Sequence, residues 1–403
     1  MKSIARLLII TLTGGLTACA VQTPENPTEF YPVSYQNLSG WDQENYGQLL
    51  VLFQQNCQKM DRQPPNTRLG GASGLFGGVV QDWIPACQAS MVVNPNNAVQ
   101  SKQFFENWLQ PYQYSVQAKT GKVTGYYEPE IEGSTVQGGA YQIPVYGKPP
   151  ELIARKDGNG QIQYGIVQNG QFIPYYTRAQ IDQGALRGRG LEVAWVKDPA
   201  DLFFMQIQGS GRILLPNGQT MRLGYAGKNG QPYTALGKVL IDQGLMASND
   251  VNMYTLRAWL HNHPDQAMSL MQENKNYVFF KPLNADVTAQ APVGAFGIPL
   301  TAGRSVAVDK NWVPLGAPLW LEISMPLPPN QERHPWKHMV FAHDLGGGIT
   351  GINRIDLFTG YGRSAEWYAG LMNEKGKIFL LLPRRTINQQ AVPAVQQNPM
   401  PNE

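Results

Sequence analysis

Residues 342–362 carry two aspartates, Asp344 and Asp356, in settings unlike those of ordinary surface carboxylates. In Arg354-Ile355-Asp356-Leu357-Phe358 the alternation predicts a β-strand, with Ile355 and Leu357 on one face and Asp356 beside Phe358 on the other. An aromatic neighbour strips water from a carboxylate, which favours the neutral acid and raises its pKa. Such a group can deliver a proton near neutral pH. Asp344 stands just before Gly346-Gly347-Gly348, a run suited to unusual backbone angles or close approach. There it would bind backbone amides, or sit near Asp356 and perturb it. The plain alternative is a turn cap at Asp344 and an ion pair from Asp356 to Arg354 or Arg363.

Other chemistries find little support. His261 and His263 lie two apart and His334 and His338 four apart, with no acidic partner at zinc-site spacing, so no metal and no cofactor are expected. Gly346-Gly347-Gly348 lacks the Lys-Ser/Thr ending of a phosphate loop and the setting of a dinucleotide fold. Gln208-Gly209-Ser210-Gly211 misses the Gly-x-Ser-x-Gly nucleophile elbow by one position. Carboxylate chemistry remains.

The elements that must position these groups belong to a β-rich chain. It has 403 residues, 15% of them charged, with 42 glycines and 30 prolines, a composition of many short strands and turns. Length allows two or three domains, and a net charge of +3 gives no strong field for nucleic acid. Helical spacing of Tyr46, Leu49, Leu50, Phe53, Cys57 and Met60 predicts a helix within 41–60, and another surrounds Phe104, Phe105 and Trp108 at 98–109. Residues 237–248 and 253–272 also read as helical, the latter broken at Pro264. Strands are expected at 124–129, 142–146, 202–211, 277–280 and 304–323. In the 202–211 run, Gln206, Gln208 and Ser210 would share one strand face, where planar amides beside aromatic rings suit sugars. A half-exposed strand with polar residues outward is the simpler reading of the same alternation. Residues 326–338 read as an insertion loop.

At the start, Lys2 and Arg6 precede an apolar run that ends in Leu16-Thr17-Ala18-Cys19. This is an export signal with a lipobox, too short to span a bilayer in the mature chain. Cys19 is expected to be lipidated and to tie the protein to a lipid bilayer. Ala20 and Val21, in a Gram-negative host, point to the periplasmic face of the outer membrane. Residues 19–40 read as a tether, and the Gln-, Asn- and Pro-rich tail as disordered. Cys57 and Cys87 remain as an even pair in an oxidising compartment, either bonded or buried as free thiols.

Seven stretches then carry a pattern: Thr124-Gly125-Tyr126-Tyr127, Gln208-Gly209-Ser210-Gly211, Tyr225 to Gly230, Gly237 to Asp242, Phe279 to Pro282, Gly303 to Asp309, and Asp344 to Ile349 with Ile355-Asp356. Together and in order they resemble the family of membrane-bound lytic murein transglycosylase A, from about Thr124 to Phe379. The resemblance implies an all-β-dominated fold with some helix: a double-psi β-barrel built from 41–128 and 286–385, a β-rich domain inserted at 129–285, and a groove between them. Residues 1–18 are then the signal peptide, 19–40 the linker and 386–403 the tail.

It further implies Asp356 as the single catalytic acid/base, with Asp344 and Asp309 as supporting carboxylates. Tyr126, Gln208 and Ser210 are expected to line the sugar-binding wall. The implied reaction cleaves the β-1,4 bond between N-acetylmuramic acid and N-acetylglucosamine in peptidoglycan and leaves a 1,6-anhydromuramoyl end. One departure is Gly348, where the family usually has alanine. The competing readings are a water-using muramidase with Asp344 or Asp309 as second carboxylate, and a murein-binding lipoprotein without activity. A monomer is expected.

Overall fold

The computed structural model describes residues 29–72, 76–115, 121–156, 162–283, 291–327 and 332–384. Cys19, the rest of the export segment and the C-terminal tail lie outside the described residues.

Six strands close into a ring. In spatial order they are Gly121–Glu128, Asn373–Pro383, Pro318–Leu327, Glu332–Leu345, Ser305–Val308 and Arg354–Tyr361, and the last pairs back onto the first. The ring depends on Gly121–Glu128, which pairs in parallel with Arg354–Tyr361 and antiparallel with Asn373–Pro383. Its interior follows from the alternation of each strand: Val123, Val306, Leu319, Val340 and Ile355 are all fully buried.

Against this ring packs the helix Tyr46–Asp61, capped by the Asn45 side chain, which accepts from the Gln48 amide. Its Leu49, Leu50, Phe53, Cys57 and Met60 form the buried stripe that their spacing predicts. Phe53 meets Trp83, Phe104 and Phe105. Of the two readings for the cysteines, the bonded one holds: Cys57 and Cys87 form a disulfide with Cα atoms 5.3 Å apart. The tether expected to reach residue 40 ends sooner. Glu29–Pro32 is a strand paired with Leu109–Ser115, and Leu38 is buried in the core.

Between the first barrel strand and the other five lies a second body. Its six-stranded sheet runs, in spatial order, Val278–Pro282, Thr220–Lys228, Gly211–Leu214, Glu130–Ser134, Glu192–Val196 and Ile143–Tyr146. Helices cover it, among them Met253–Asn262 and Pro264–Gln272, separated where Pro264 was expected to break them.

Two sequence expectations are corrected here. Residues 202–211 do not form a strand: Pro199–Gln208 is a helix, begun by Asp198 accepting from the Ala200 amide and ended by Gly209 at φ 81°. A short apolar run fits either period, and the cap residues on both sides decide for the helix. Nor are the described residues of 326–338 a loop. Pro318–Leu327 and Glu332–Leu345 stay in antiparallel register out to Leu327 opposite Glu332. Pro326 and Pro335 are tolerated because this far end is a two-stranded arm, the neighbouring strand pairing only at Leu319 to Glu322.

The joint between the bodies is electrostatic. Glu128, fully buried at the end of the first barrel strand, accepts from Arg212 Nε at 2.7 Å and from an Arg222 terminal nitrogen at 3.1 Å, both on the inserted sheet. Arg212 also lies over the Tyr361 ring at 3.7 Å, returning the contact to the barrel. Removing the carboxylate breaks its ion pairs with two largely buried guanidinium groups. Glu128→Ala is therefore expected to lose about 3–5 kcal/mol of stability, read as a large fall in the unfolding midpoint in urea.

A second buried polar group makes the barrel acid-sensitive. His343 is fully buried between the Phe296 and Phe341 rings, its Nδ1 2.8 Å from Ser305 Oγ and its Nε2 2.9 Å from Asn56 Oδ1. Burial lowers its pKa from 6.5 to about 3. Below pH 6.5 the unfolded chain takes up a proton that the folded chain refuses, so this contribution to stability is complete above that value and declines as pH falls toward 3. His343→Gln, which cannot take a proton, is expected to flatten the slope of Tm against pH between about 6 and about 4. Scanning calorimetry across that range measures it.

Candidate active site

Register within the ring builds the site. Asp356 pairs with Thr124 on one side and with Ala307 on the other, and Thr124 pairs in turn with Asn373. The Thr124 hydroxyl donates to Asp356 Oδ1 at 2.6 Å across 232 residues of sequence. Asp356 is half-buried, and Phe358 on the same face packs against Tyr126 with ring centroids 5.3 Å apart. Desolvation raises the Asp356 pKa, and the negative charge of Asp344 adds to it, while the Thr124 hydroxyl and the Arg354 cation pull the other way. Among the described residues no ion pair neutralises Asp356: Arg354 acts on it only through space, and one Arg354 terminal nitrogen is buried without a hydrogen-bond partner.

The other two aspartates are engaged differently. Asp344 Oδ1 accepts from the amides of Ala295 and Leu345, both at 2.9 Å, and Oδ2 accepts from the Tyr126 hydroxyl at 3.0 Å. Burial still raises its pKa against those three bonds. Asp309 accepts from the Asn311 amide at 3.0 Å and the Gly351 amide at 2.8 Å, pinning the turn before the Asp356 strand. Asp344 and Asp356 thus share one electrostatic neighbourhood, whereas Asp309 works on the loop beside it.

The residues expected on a sugar wall lie deeper than their sequence suggested. Tyr126 is 8% exposed and its hydroxyl is taken by Asp344. Gln208, half-buried at the end of its helix, accepts from the Tyr127 amide at 3.0 Å. Ser210 is 9% exposed. With a helix in place of a strand, Gln206 is buried and its amide reaches the Val278 carbonyl, so the three polar side chains do not form one exposed row. Among the described residues no group of three His, Cys, Asp or Glu side chains is placed to hold a metal ion.

Sequence reasoning passed over Tyr233. This residue of the inserted body is 41% exposed, and its ring lies 3.4 Å from the position a Cβ would take on Gly348 of the barrel loop. Burial raises the pKa of its hydroxyl, and the charge of Asp356 raises it further. A polar knot holds its loop. Asn229 Nδ2 donates to the carbonyls of Tyr176 and Lys275, Asn276 Nδ2 donates to the Gln231 carbonyl, and Asn274 Oδ1 accepts from the Thr234 amide. Only the stretch Tyr225 to Gly230 hinted at this loop, and nothing in the spacing foretold that it would approach Gly348.

Comparison with known proteins agrees with this geometry. Two family models match in order: the MltA specific insert domain over residues 122–281 and the 3D domain over residues 304–382. The membrane-bound lytic murein transglycosylase A of Escherichia coli K12 is 33% identical over 264 residues, 64% of this chain; the match spans 64% of that protein's length, less than two thirds. The crystal structure of a membrane-bound lytic murein transglycosylase from Agrobacterium tumefaciens superposes with a TM-score of 0.76 at 31% identity, covering 88% of this chain and 98% of that one. The E. coli enzyme crystallised with bound chitohexaose gives a TM-score of 0.59 at 26% identity, covering 88% and 91%. The closed ring, the body inserted after its first strand and identity sustained over a whole relative lead to one assignment: the chain belongs to the family of membrane-bound lytic murein transglycosylase A.

Proposed function

We propose that the protein is a peptidoglycan lytic transglycosylase and that Asp356 is its single acid and base. The observation that carries this reading is the contrast among the three aspartates. Asp344 and Asp309 have both carboxylate oxygens committed to backbone amides or a tyrosine hydroxyl, whereas Asp356 keeps one oxygen free of such bonds and is held toward its neutral form by burial. A hydrolase of the two-carboxylate kind needs a second group able to activate water or attack carbon. Neither of the other two has an unengaged oxygen for that work, which favours the lyase over the muramidase.

The chemistry then needs only one group. Protonated Asp356 gives its proton to the glycosidic oxygen as the C1–O bond breaks. The muramoyl C6 hydroxyl attacks C1, and its proton passes to the Asp356 carboxylate, restoring the acid. No water is consumed, and the product carries a 1,6-anhydro ring. The attacking hydroxyl belongs to the same sugar, so the second step gains from a reacting group already in place. The chitohexaose held by the E. coli relative, brought to this chain, supports a glycan strand as the substrate, lying between the barrel and the inserted body where Tyr233 approaches the Gly348 loop.

The supporting aspartates keep the acid in position. Asp344 fixes the Ala295 loop and adds negative charge beside Asp356, and Asp309 fixes the turn at Gly351. Among the described residues no helix is long and apolar enough to cross a membrane. Attachment to the periplasmic face of the outer membrane is assigned to lipidated Cys19, on the lipobox that precedes it.

Asp356→Asn is expected to lower kcat on murein sacculi by about 100- to 10,000-fold, and mass spectrometry of the wild-type digest to show anhydro ends. Reducing ends a water heavier would sink the lyase reading. The same variant tests the raised pKa. A carboxyl whose folded pKa exceeds its unfolded value withdraws stability as pH rises through the folded value. Asp356→Asn should therefore melt above wild type at neutral pH and together with it near pH 3, where both side chains are uncharged. For the anchor, Cys19→Ala is expected to move the protein from the membrane fraction to the soluble one and to abolish labelling by a fatty-acid probe; continued labelling would refute the assignment.

A further inference from the structure

One turn of the strand pleat from Asp356, the barrel carries a row of positive charge that the reaction itself does not use. Arg354 is the cross-strand partner of Lys122, and Lys122 is the cross-strand partner of Lys375, so three cations stand side by side on three neighbouring strands. Two residues along each strand comes the row Asp356, Thr124, Asn373 on the same face, about 7 Å away. Like charges directly opposite one another in a sheet are destabilising, and natural sheets usually relieve them with an acid. Here none does: among the described residues, Arg354, Lys122 and Lys375 make no ion pair with any carboxylate. Lys122 and Lys375 are exposed, and one Arg354 terminal nitrogen is buried without a hydrogen-bond partner. The strain is felt within the row, since burial and then the Arg354 charge both lower the Lys122 pKa. Protonation of Asp356 removes the negative charge that acts through space with Arg354.

We propose that Arg354, Lys122 and Lys375 form an anion subsite that receives the carboxylates of the peptide substituent borne by the muramoyl sugar. This rests on the transglycosylase reading above and adds to it a preference for peptide-bearing strands. In that reading the sugar whose C1 is attacked sits at Asp356, and its C3 lactyl ether, from which the peptide extends, belongs to the same ring. The substituent therefore leaves the reaction centre within reach of a row one pleat away. Its carboxylates are spaced along a flexible chain, which suits a line of three cations better than a single deep pocket. Exposed pairs of this kind contribute modestly each, so the effect expected from the row is about tenfold in KM.

The test compares glycan strands that keep their peptides with strands stripped of them by an amidase, using the purified mature protein. Wild type is expected to favour peptide-bearing strands by about tenfold in kcat/KM, chiefly through KM, and the ratio to shrink as salt rises from about 20 mM to about 500 mM. Replacing both lysines by glutamine should bring the ratio close to one, while replacing both by arginine should keep it. Equal kcat/KM for the two substrates in wild type, a ratio indifferent to salt, or a glutamine double variant that discriminates as wild type does would each overturn the subsite. Calorimetric binding of a peptide-bearing fragment and its stripped counterpart to Asp356→Asn needs no turnover. A binding preference there together with no anhydro product from wild type would retire the lyase reading and leave the anion subsite standing.

Discussion

The structure depends on one pairing, that of strand Gly121–Glu128 with Arg354–Tyr361. It closes the six-stranded ring, and in the same register it sets the Thr124 hydroxyl 2.6 Å from Asp356. A strand from the first third of the chain thus supplies one wall of a site whose acid comes from the last fifth. Because the second body is inserted directly after that strand, the pairing also decides where the body hangs. Loss of the register by one residue would turn Thr124 away and put Val123 beside the acid. The reaction centre and the closure of the barrel are therefore one event, and neither forms without the other.

Within that frame the three aspartates differ by what surrounds them. Asp309 sits in a turn and spends both oxygens on amides. Asp344, near the end of a strand, spends Oδ1 on two amides and Oδ2 on the hydroxyl of Tyr126. Asp356 lies in mid-strand, where its carboxylate accepts from the Thr124 hydroxyl and, among the described residues, from no backbone amide. A strand carboxylate beside Phe358 is thus poorly stabilised as an anion for a structural reason, and the Asp344 charge adds to it. The Arg354 cation two residues away keeps the shift from growing without bonding to the group.

Much of this was legible in the sequence. The Asp356 strand, the helix Tyr46–Asp61 with its apolar stripe and the break at Pro264 each rest on a local period or a proline, and each is found. The run Leu202 to Gly211 misled because a short apolar stretch satisfies two periods, and the deciding signals, Asp198 with Pro199 before it and Gly209 after it, are caps outside the run. The 326–338 segment misled for the opposite reason: its prolines argue against a sheet, yet they are harmless in an arm that has only one neighbour. Tyr126 looked like a groove residue because sequence gives an aromatic no direction. Its position on the strand turns it inward to Asp344. Tyr233 could not be found at all, since its place is set by asparagines 229, 274 and 276, dispersed across a separate body.

That last residue shows what the inserted body contributes. A barrel carrying Asp356 alone would offer the acid on an open face, where water keeps the carboxylate ionised. The inserted body brings Tyr233 against Gly348 of the barrel loop. An alanine there would place its methyl 3.4 Å from the ring, an ordinary contact. Glu128 and its two arginines join the two bodies further along the same strand that carries Thr124, and the Arg257–Glu366 ion pair joins them elsewhere. One strand therefore fixes the hydrogen bond to the acid at one point and an ionic joint to the inserted body at another.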